Sequence, residues 1–198
     1  MSYNTLDVVN DCLALLGELP VNDLETPHPA VPGARRLLTN TNELLQADRW
    51  WFNTEFTTLT PQVGNKRIVV PGDTAAIDTI PRRPGVTIRG TYLYDTDKGS
   101  YEFSAPVEVR LHRVVPFDHL PLSARRYISA EAQLRFQNTI DADALKTREL
   151  KEERTMAYRL MNAEHIRNVR ANMLTRPGVA YVLNNMQGQS PFAGRLKF

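Results

Sequence analysis

About 33 residues, Ala142 to Leu174, pass without a glycine or a proline. Ala, Leu, Met, Arg, Lys and Glu dominate them, and these are strong helix formers. Asp141 or Asp143 is placed to cap the start, because a carboxylate accepts hydrogen bonds from the free N–H groups of a first turn. Arg167 and Arg170 stand near the far end, where cations suit the helix dipole. Such a helix is roughly 50 Å long, against about 30 Å for the diameter of a small domain. Its first half, Lys146 to Arg154, is nearly all charged. Met156, Ala157, Leu160, Met161, Ile166, Val169, Met173 and Leu174 gather in the second half. So narrow an apolar stripe on so long a helix is not all core. Either the helix frays or breaks, or part of it packs on another chain, and the second is the expectation.

The remaining helices are shorter and better bounded. Leu6, Val9, Leu13 and Leu16 recur at spacings of three and four, which predicts a helix over Thr5–Leu16. Gly17 stops it and Pro20 bars its continuation. Thr26 to Gly33 holds three prolines and reads as a stiff connector. A second helix is expected over about Gly33 to Asp48, with Leu37, Leu38, Thr41, Leu44, Leu45 and Asp48 as its stripe. Trp50, Trp51 and Phe52 come next. Three adjacent aromatics do not all face one way, so at least one Trp is expected to plug the junction between the helices and the next segment. Leu13, Leu16, Leu37, Leu44, Trp50 and Phe52 are the predicted helical core.

From Thr54 the period changes from helix to strand. Phe56, Thr58 and Thr60 alternate with Thr57 and Leu59; Lys66–Val70, Ala75–Ile80, Val86–Tyr94 and Val107–Val115 are the further strands. Asp95 to Ser100 is a turn by composition, making Tyr92–Phe103 the clearest hairpin. Helix returns near Pro121, with Ser123 as its cap, and runs to Thr139–Ile140. The fold class expected is α+β: a four-helix bundle, discontinuous in sequence (residues 1–53 and 117–174), with an inserted antiparallel β domain (54–116) and an extended C-terminal helix and tail (175–198).

The chain has 198 residues, enough to bury roughly 70% of its unfolded surface without a staple. The single Cys12 excludes an internal disulfide and sits in an apolar helical run, as a structural thiol does. No 18-residue apolar run predicts a membrane span. The first residues lack the basic region of a secretory signal. The expected compartment is a reducing cytoplasm, or a particle assembled there. The net charge of +2 hides an asymmetry. Residues 1–65 carry eight Asp/Glu and three Lys/Arg, whereas residues 154–198 carry one acid, Glu164, and seven bases. A basic tail seeks an acidic surface. Tyr181, Val182, Leu183, Phe192, Leu196 and Phe198 lie in that tail among Asn, Gln and Gly, too short and polar a stretch to fold alone. They predict ordering on a partner.

Chemistry is sparse. His28, His112, His119 and His165 have no His or Cys at a metal-ligand spacing. There is no phosphate-cradling glycine loop. Asp95-Thr-Asp97-Lys-Gly99 imitates a calcium loop, but its twelfth position is Pro106 rather than Glu. Asp7/Asp11 and the Glu149, Glu152, Glu153 group are acid pairs by spacing and read as solvated helix faces. No catalytic residue, metal or cofactor is assigned. The bases of the tail are spread out and no recognition-helix motif frames them, so only non-specific contact with a nucleic acid backbone is expected.

The block Val9-Asn-Asp-Cys-Leu-Ala-Leu-Leu-Gly-Glu-Leu-Pro-Val21 resembles the opening of the tail tubular protein A family, the adaptor or gatekeeper proteins of short-tailed phages related to T7. The likeness continues through Ala34-Arg-Arg-Leu-Leu, Asn40, Gln46 and Trp50-Trp-Phe-Asn-Thr-Glu55, then fades across the strands. It returns weakly at Tyr127, Ala130, Arg135-Phe136 and Glu149–Glu153. The Pro-rich connector and the tail depart from the family. The resemblance implies a dodecameric ring between the portal protein and the tail nozzle, tail tubular protein B, with a tail fibre attached nearby. It implies genomic DNA passing through the bore, and a place in the short non-contractile tail of the virion after assembly in the host cytoplasm. Within that picture Arg167, Arg170, Arg176, Tyr181, Leu183, Phe192, Arg195 and Phe198 are the expected portal-binding residues. The opposite charges of the two chain ends would suit contacts between neighbouring subunits. The alternative function is a virion-associated peptidoglycan hydrolase using a Glu/Asp pair.

Overall fold

The first helix, α1 (Thr5–Leu15), starts on a reciprocal cap: Asn4 Oδ1 accepts from the Asp7 N–H, and Asp7 returns a carboxylate oxygen to the Asn4 N–H. The structure, a computed structural model, describes residues 3–140 and 143–169. It is a mixed α+β fold. The described residues form α1, α2 (Val31–Gln46), β1 (Thr54–Leu59), β2 (Thr74–Ile80), β3 (Val86–Arg89), β4 (Tyr92–Asp95), β5 (Val107–Arg113), α3 (Leu122–Ile140) and α4 (Ala144–Asn168), in that order.

Helix α2 begins two residues earlier than its sequence suggests, because Pro32 sits in the first turn, where its missing N–H is no loss. Its inward face is Val31, Ala34, Leu38, Thr41, Asn42 and Gln46. Leu44 corrects the expected core: it is 55% exposed. The helix is rotated so that Leu38 and Thr41 face its neighbours, which carries Leu44 to the flank and leaves Leu37 half-buried. Leu13 is fully buried, Trp50 is buried, and Leu16 and Phe52 are half-buried against the core.

Helix α3 is the central one. Residues on all its sides are buried, among them Tyr127, Ile128, Leu134 and Phe136, and α1, α2 and α4 all pack on it. Ser123 does not serve as its cap. Its hydroxyl donates instead to Glu164 of α4. Helix α4 is capped by Asp143, whose Oδ1 accepts from Leu145 N at 2.8 Å and Lys146 N at 3.0 Å. Only Leu150, Ala157 and Met161 of α4 are buried. Glu131 ties the pair together, receiving Arg154 of α4 at 2.8 Å and Arg135 of α3 at 2.7 Å. The predicted continuation of α4 past Val169, like the Asp141 cap, lies outside the described residues.

The strands form a three-stranded sheet in the order β1-β5-β2 and a two-stranded β3-β4 hairpin, all antiparallel. The expected single strand Val86–Tyr94 is broken. Arg89 pairs with Tyr92 across a two-residue turn, and Gly90 supplies the positive φ (63°) that such a turn requires. Lys66–Val70 makes isolated bridges, Arg67 to Glu102 and Val69 to Tyr92, rather than a full strand. The Asp95–Ser100 turn is closed by its own bridge, with Asp95 Oδ1 accepting from Asp97 N and Lys98 N. Ile68, Val70, Leu93, Phe103, Val107, Val109 and Leu111 form one apolar cluster among the strands. Two others lie among the helices.

Candidate interaction surfaces

The junction between helices and strands is built by the aromatic triplet. The Trp50 indole N–H donates to Leu45 O at 2.8 Å, closing the end of α2. Asn53 stands behind it: its Oδ1 accepts from Trp50 N at 3.0 Å and its Nδ2 donates to Gln46 O at 2.7 Å. Thr54 then donates to Trp50 O and meets His112 Nδ1 at 3.2 Å. Buried Gln46 completes the joint. Its Nε2 donates to Val115 O at 2.7 Å and its Oε1 accepts from Val115 N at 2.8 Å, so the start and finish of the strand region are fastened to one side chain.

Beside this joint lies a cavity of about 530 Å³ lined by Trp51, Phe56, Arg110, His165 and Val169, among others. Trp50 and Trp51 both meet His165. Burial pushes the His165 imidazole below its ordinary pKa. Burial lowers that of His112 too, against the opposing pull of Asp78, 3.4 Å from its Nε2. Asp78 in turn holds Arg49 at 2.9 Å. Of the predicted portal-binding residues, Arg167 is described, exposed on the last turn of α4. Arg170, Arg176, Tyr181, Leu183, Phe192, Arg195 and Phe198 lie outside the described residues.

A second groove, also about 530 Å³, runs between α1, α3 and α4, with Met156 and Leu160 on its wall. Its floor is polar. The Tyr3 hydroxyl lies between Asp11 and Ser129, and Gln133 Nε2 donates to Ser129 Oγ at 2.9 Å and Asp11 Oδ2 at 3.2 Å. Burial, reinforced by the Asp11 carboxylate, raises the Tyr3 phenol well above its ordinary pKa. Burial likewise pushes the Cys12 thiol up to about 12, aided by Asp11, which leaves it without a thiolate at neutral pH. Asp7 is engaged in the α1 cap, and Asp11, expected on a solvated helix face, is half-buried in this network because Tyr3 and Gln133 close over it. Glu152 pairs with Arg148 at 3.2 Å. Among the described residues no three His, Cys, Asp or Glu side chains converge to hold a metal ion. No helix among them is long and apolar enough to cross a membrane.

These surfaces are arranged for contact, with apolar side chains left open along α4. Comparison with known proteins agrees in kind: residues 6–170 match the family described as tail tubular protein. The chain belongs to the tail tubular protein family. It is also 28% identical over 170 residues to tail tubular protein A of Klebsiella phage KP34, an alignment covering 83% of this chain and 88% of that protein. It is thus a structural protein of the phage tail, and the virion tail is its location. The matched span takes in α1 through α4 and the strands between them, whereas most of the predicted portal-binding residues fall beyond its end.

Sequence reasoning missed the polar floor of the α1–α3–α4 groove and the Gln46–Val115 joint. Their partners lie far apart in the chain, 126 residues for Tyr3 and Ser129, and no local period marks them.

Proposed function

We propose that the chain is a ring adaptor of a short non-contractile tail, joining the portal to the tail nozzle. Its work is binding and sealing, with no bond made or broken. Residues 1–53 and 117–174 act as one helical bundle, residues 54–116 as an inserted β domain, and residues 175–198 as the tail that reaches the portal. Twelve copies close the ring, support a tail fibre and line the DNA exit channel with non-specific contacts. Assembly takes place in the host cytoplasm.

The observation that carries this reading is the state of α4. Met156 is 67% exposed, Leu160 58%, and Ile166 and Val169 50% each. Met156 and Leu160 stand open over the α1–α3–α4 groove, and Ile166 and Val169 at the far end of the helix; apolar surface left open in this way marks places that another protein covers. Family membership supports the same reading, because a tail tubular protein works as part of an assembly. The charge asymmetry of the chain supports contacts between unlike surfaces of neighbouring copies.

Deletion of Arg176–Phe198 tests the portal contact. The shortened chain is expected to fold and to lose co-sedimentation with portal rings. Undiminished co-sedimentation contradicts it.

A further inference from the structure

Strand β1 is an open edge. Among the described residues it pairs only with β5, in the register Thr54 to His112 through Leu59 to Val107. Arg113 N donates to Asn53 O at 2.8 Å, which fixes the alternation: Glu55, Thr57 and Leu59 turn their backbone groups toward β5, and Thr54, Phe56 and Thr58 turn theirs away. Those outward groups have no backbone partner among the described residues. Glu55, Phe56, Thr57 and Thr58 are all exposed, Phe56 at 68%.

The other outer strand of the sheet is treated differently. β2 carries a register shift at Thr74/Ala76, and Thr79 is only 5% exposed, with its hydroxyl accepting from Arg83 N at 2.6 Å. Bulges and covering loops are the usual protection of an edge. On the hairpin, β4 is engaged on both sides: it pairs with β3, and Leu93 N donates to Ile68 O at 3.0 Å. Among the described residues nothing gives β1 such protection, and its sequence, Thr-Glu-Phe-Thr-Thr-Leu, is free of proline.

Beside that edge lies the cavity containing Trp51, Phe56 and Val169. Arg110 sits in it with its guanidinium 5.0 Å above the Phe56 ring. Its buried Nε has no hydrogen-bond partner, and it makes no ion pair among the described residues. The side therefore offers backbone hydrogen bonds, an aromatic surface and one uncompensated cation.

We propose that β1 takes up an extended segment of a different tail protein as an added strand, one whose inward side chains are apolar over Phe56 and carboxylate at Arg110. Backbone pairing of this kind gives affinity, and the alternate side chains give selectivity. The choice of a different protein rests on the ring reading above. Copies related by rotation about a ring axis meet through unlike surfaces, whereas a strand edge meeting its own copy needs a two-fold axis. The other outer strands of a neighbouring copy do not suit it: β3, Val-Thr-Ile-Arg, brings no carboxylate to Arg110, and the carboxylate of β2, Asp78, is already held by Arg49.

Hydrogen exchange at Phe56 and Thr58 tests this, measured on the full chain alone, on the chain assembled with itself, and in complete tails. Both amides are expected to exchange freely in the first two and to slow by about 100-fold or more in complete tails. Unchanged exchange in complete tails overturns the proposal. Slowing on self-assembly alone overturns the choice of partner and assigns the edge to a second copy. Thr58→Pro removes an outward N–H and no bond to β5, so the variant is expected to fold and self-assemble but to give tails without that protection at Phe56. Thr57→Pro, which removes a bond to β5, is expected to destabilise the sheet even in the free chain. A wild-type chain that forms no ring refutes the adaptor reading instead, and protection of Phe56 and Thr58 in complete tails still decides for or against strand addition at β1.

Discussion

The edge of the Trp50 indole meets the His165 imidazole with ring centroids 5.2 Å apart and planes at 79°. This contact fastens the end of α4 to the corner where α2 gives way to β1. Trp50 is buried here and also holds Leu45 O. Trp50→Ala is expected to cost about 3–5 kcal/mol, the range for truncating a buried large aromatic. Urea unfolding followed by circular dichroism measures it, and a loss under about 1 kcal/mol would mean that the corner repacks without the indole.

His165 and His112 both have imidazole pKa values held below the ordinary 6.5 by burial. The unfolded chain therefore binds protons first as the pH falls. Stability from these groups is fully present above about 6.5 and is lost as the pH drops toward the folded values. The urea midpoint is expected to fall between about pH 7.5 and about pH 5.5. His165→Gln is expected to flatten that slope. An equal slope in the variant assigns the acid sensitivity elsewhere.

Gln46 is fully buried and bonds both backbone groups of Val115. Gln46→Leu keeps the approximate volume and strips both partners. About 2–4 kcal/mol is expected to be lost, since two buried backbone groups are left unsatisfied. Gln46→Glu separates the two halves of the bond: it keeps the acceptor for Val115 N and removes the donor to Val115 O.

Glu131 joins α3 to α4 through Arg154 and is mostly buried, while Arg154 remains 42% exposed. A double-mutant cycle of Glu131→Gln and Arg154→Met is expected to give a coupling of about 0.5–1.5 kcal/mol, reduced by solvent on the arginine side. A coupling near zero would leave apolar packing and the Ser123–Glu164 hydrogen bond to hold α4 on α3.

Much of this fold was legible where a local rule had no competitor. Gly17 and Pro20 bounded α1, the period change at Thr54 announced β1, and Asp143 capped α4. The failures have physical causes. Pro32 reads as connector but is at home in a first helical turn. Leu44 has the right residue type and the wrong rotation, which only the partners of α2 decide. Gly90 cuts a run that composition alone makes one strand. The open edge of β1 was invisible because an edge is defined by what does not pair with it. On α4 the expected single apolar stripe is split, because α3 covers only one side of the helix: Ala157 and Met161 are buried, while Met156, Leu160, Ile166 and Val169 are exposed.

The adaptor reading makes one geometric demand that particle imaging of the assembled protein meets most directly. The account predicts closed rings of twelve chains with one rotational axis and a continuous central bore. Single chains and two-fold dimers alone, at concentrations where portal rings are intact, would contradict it.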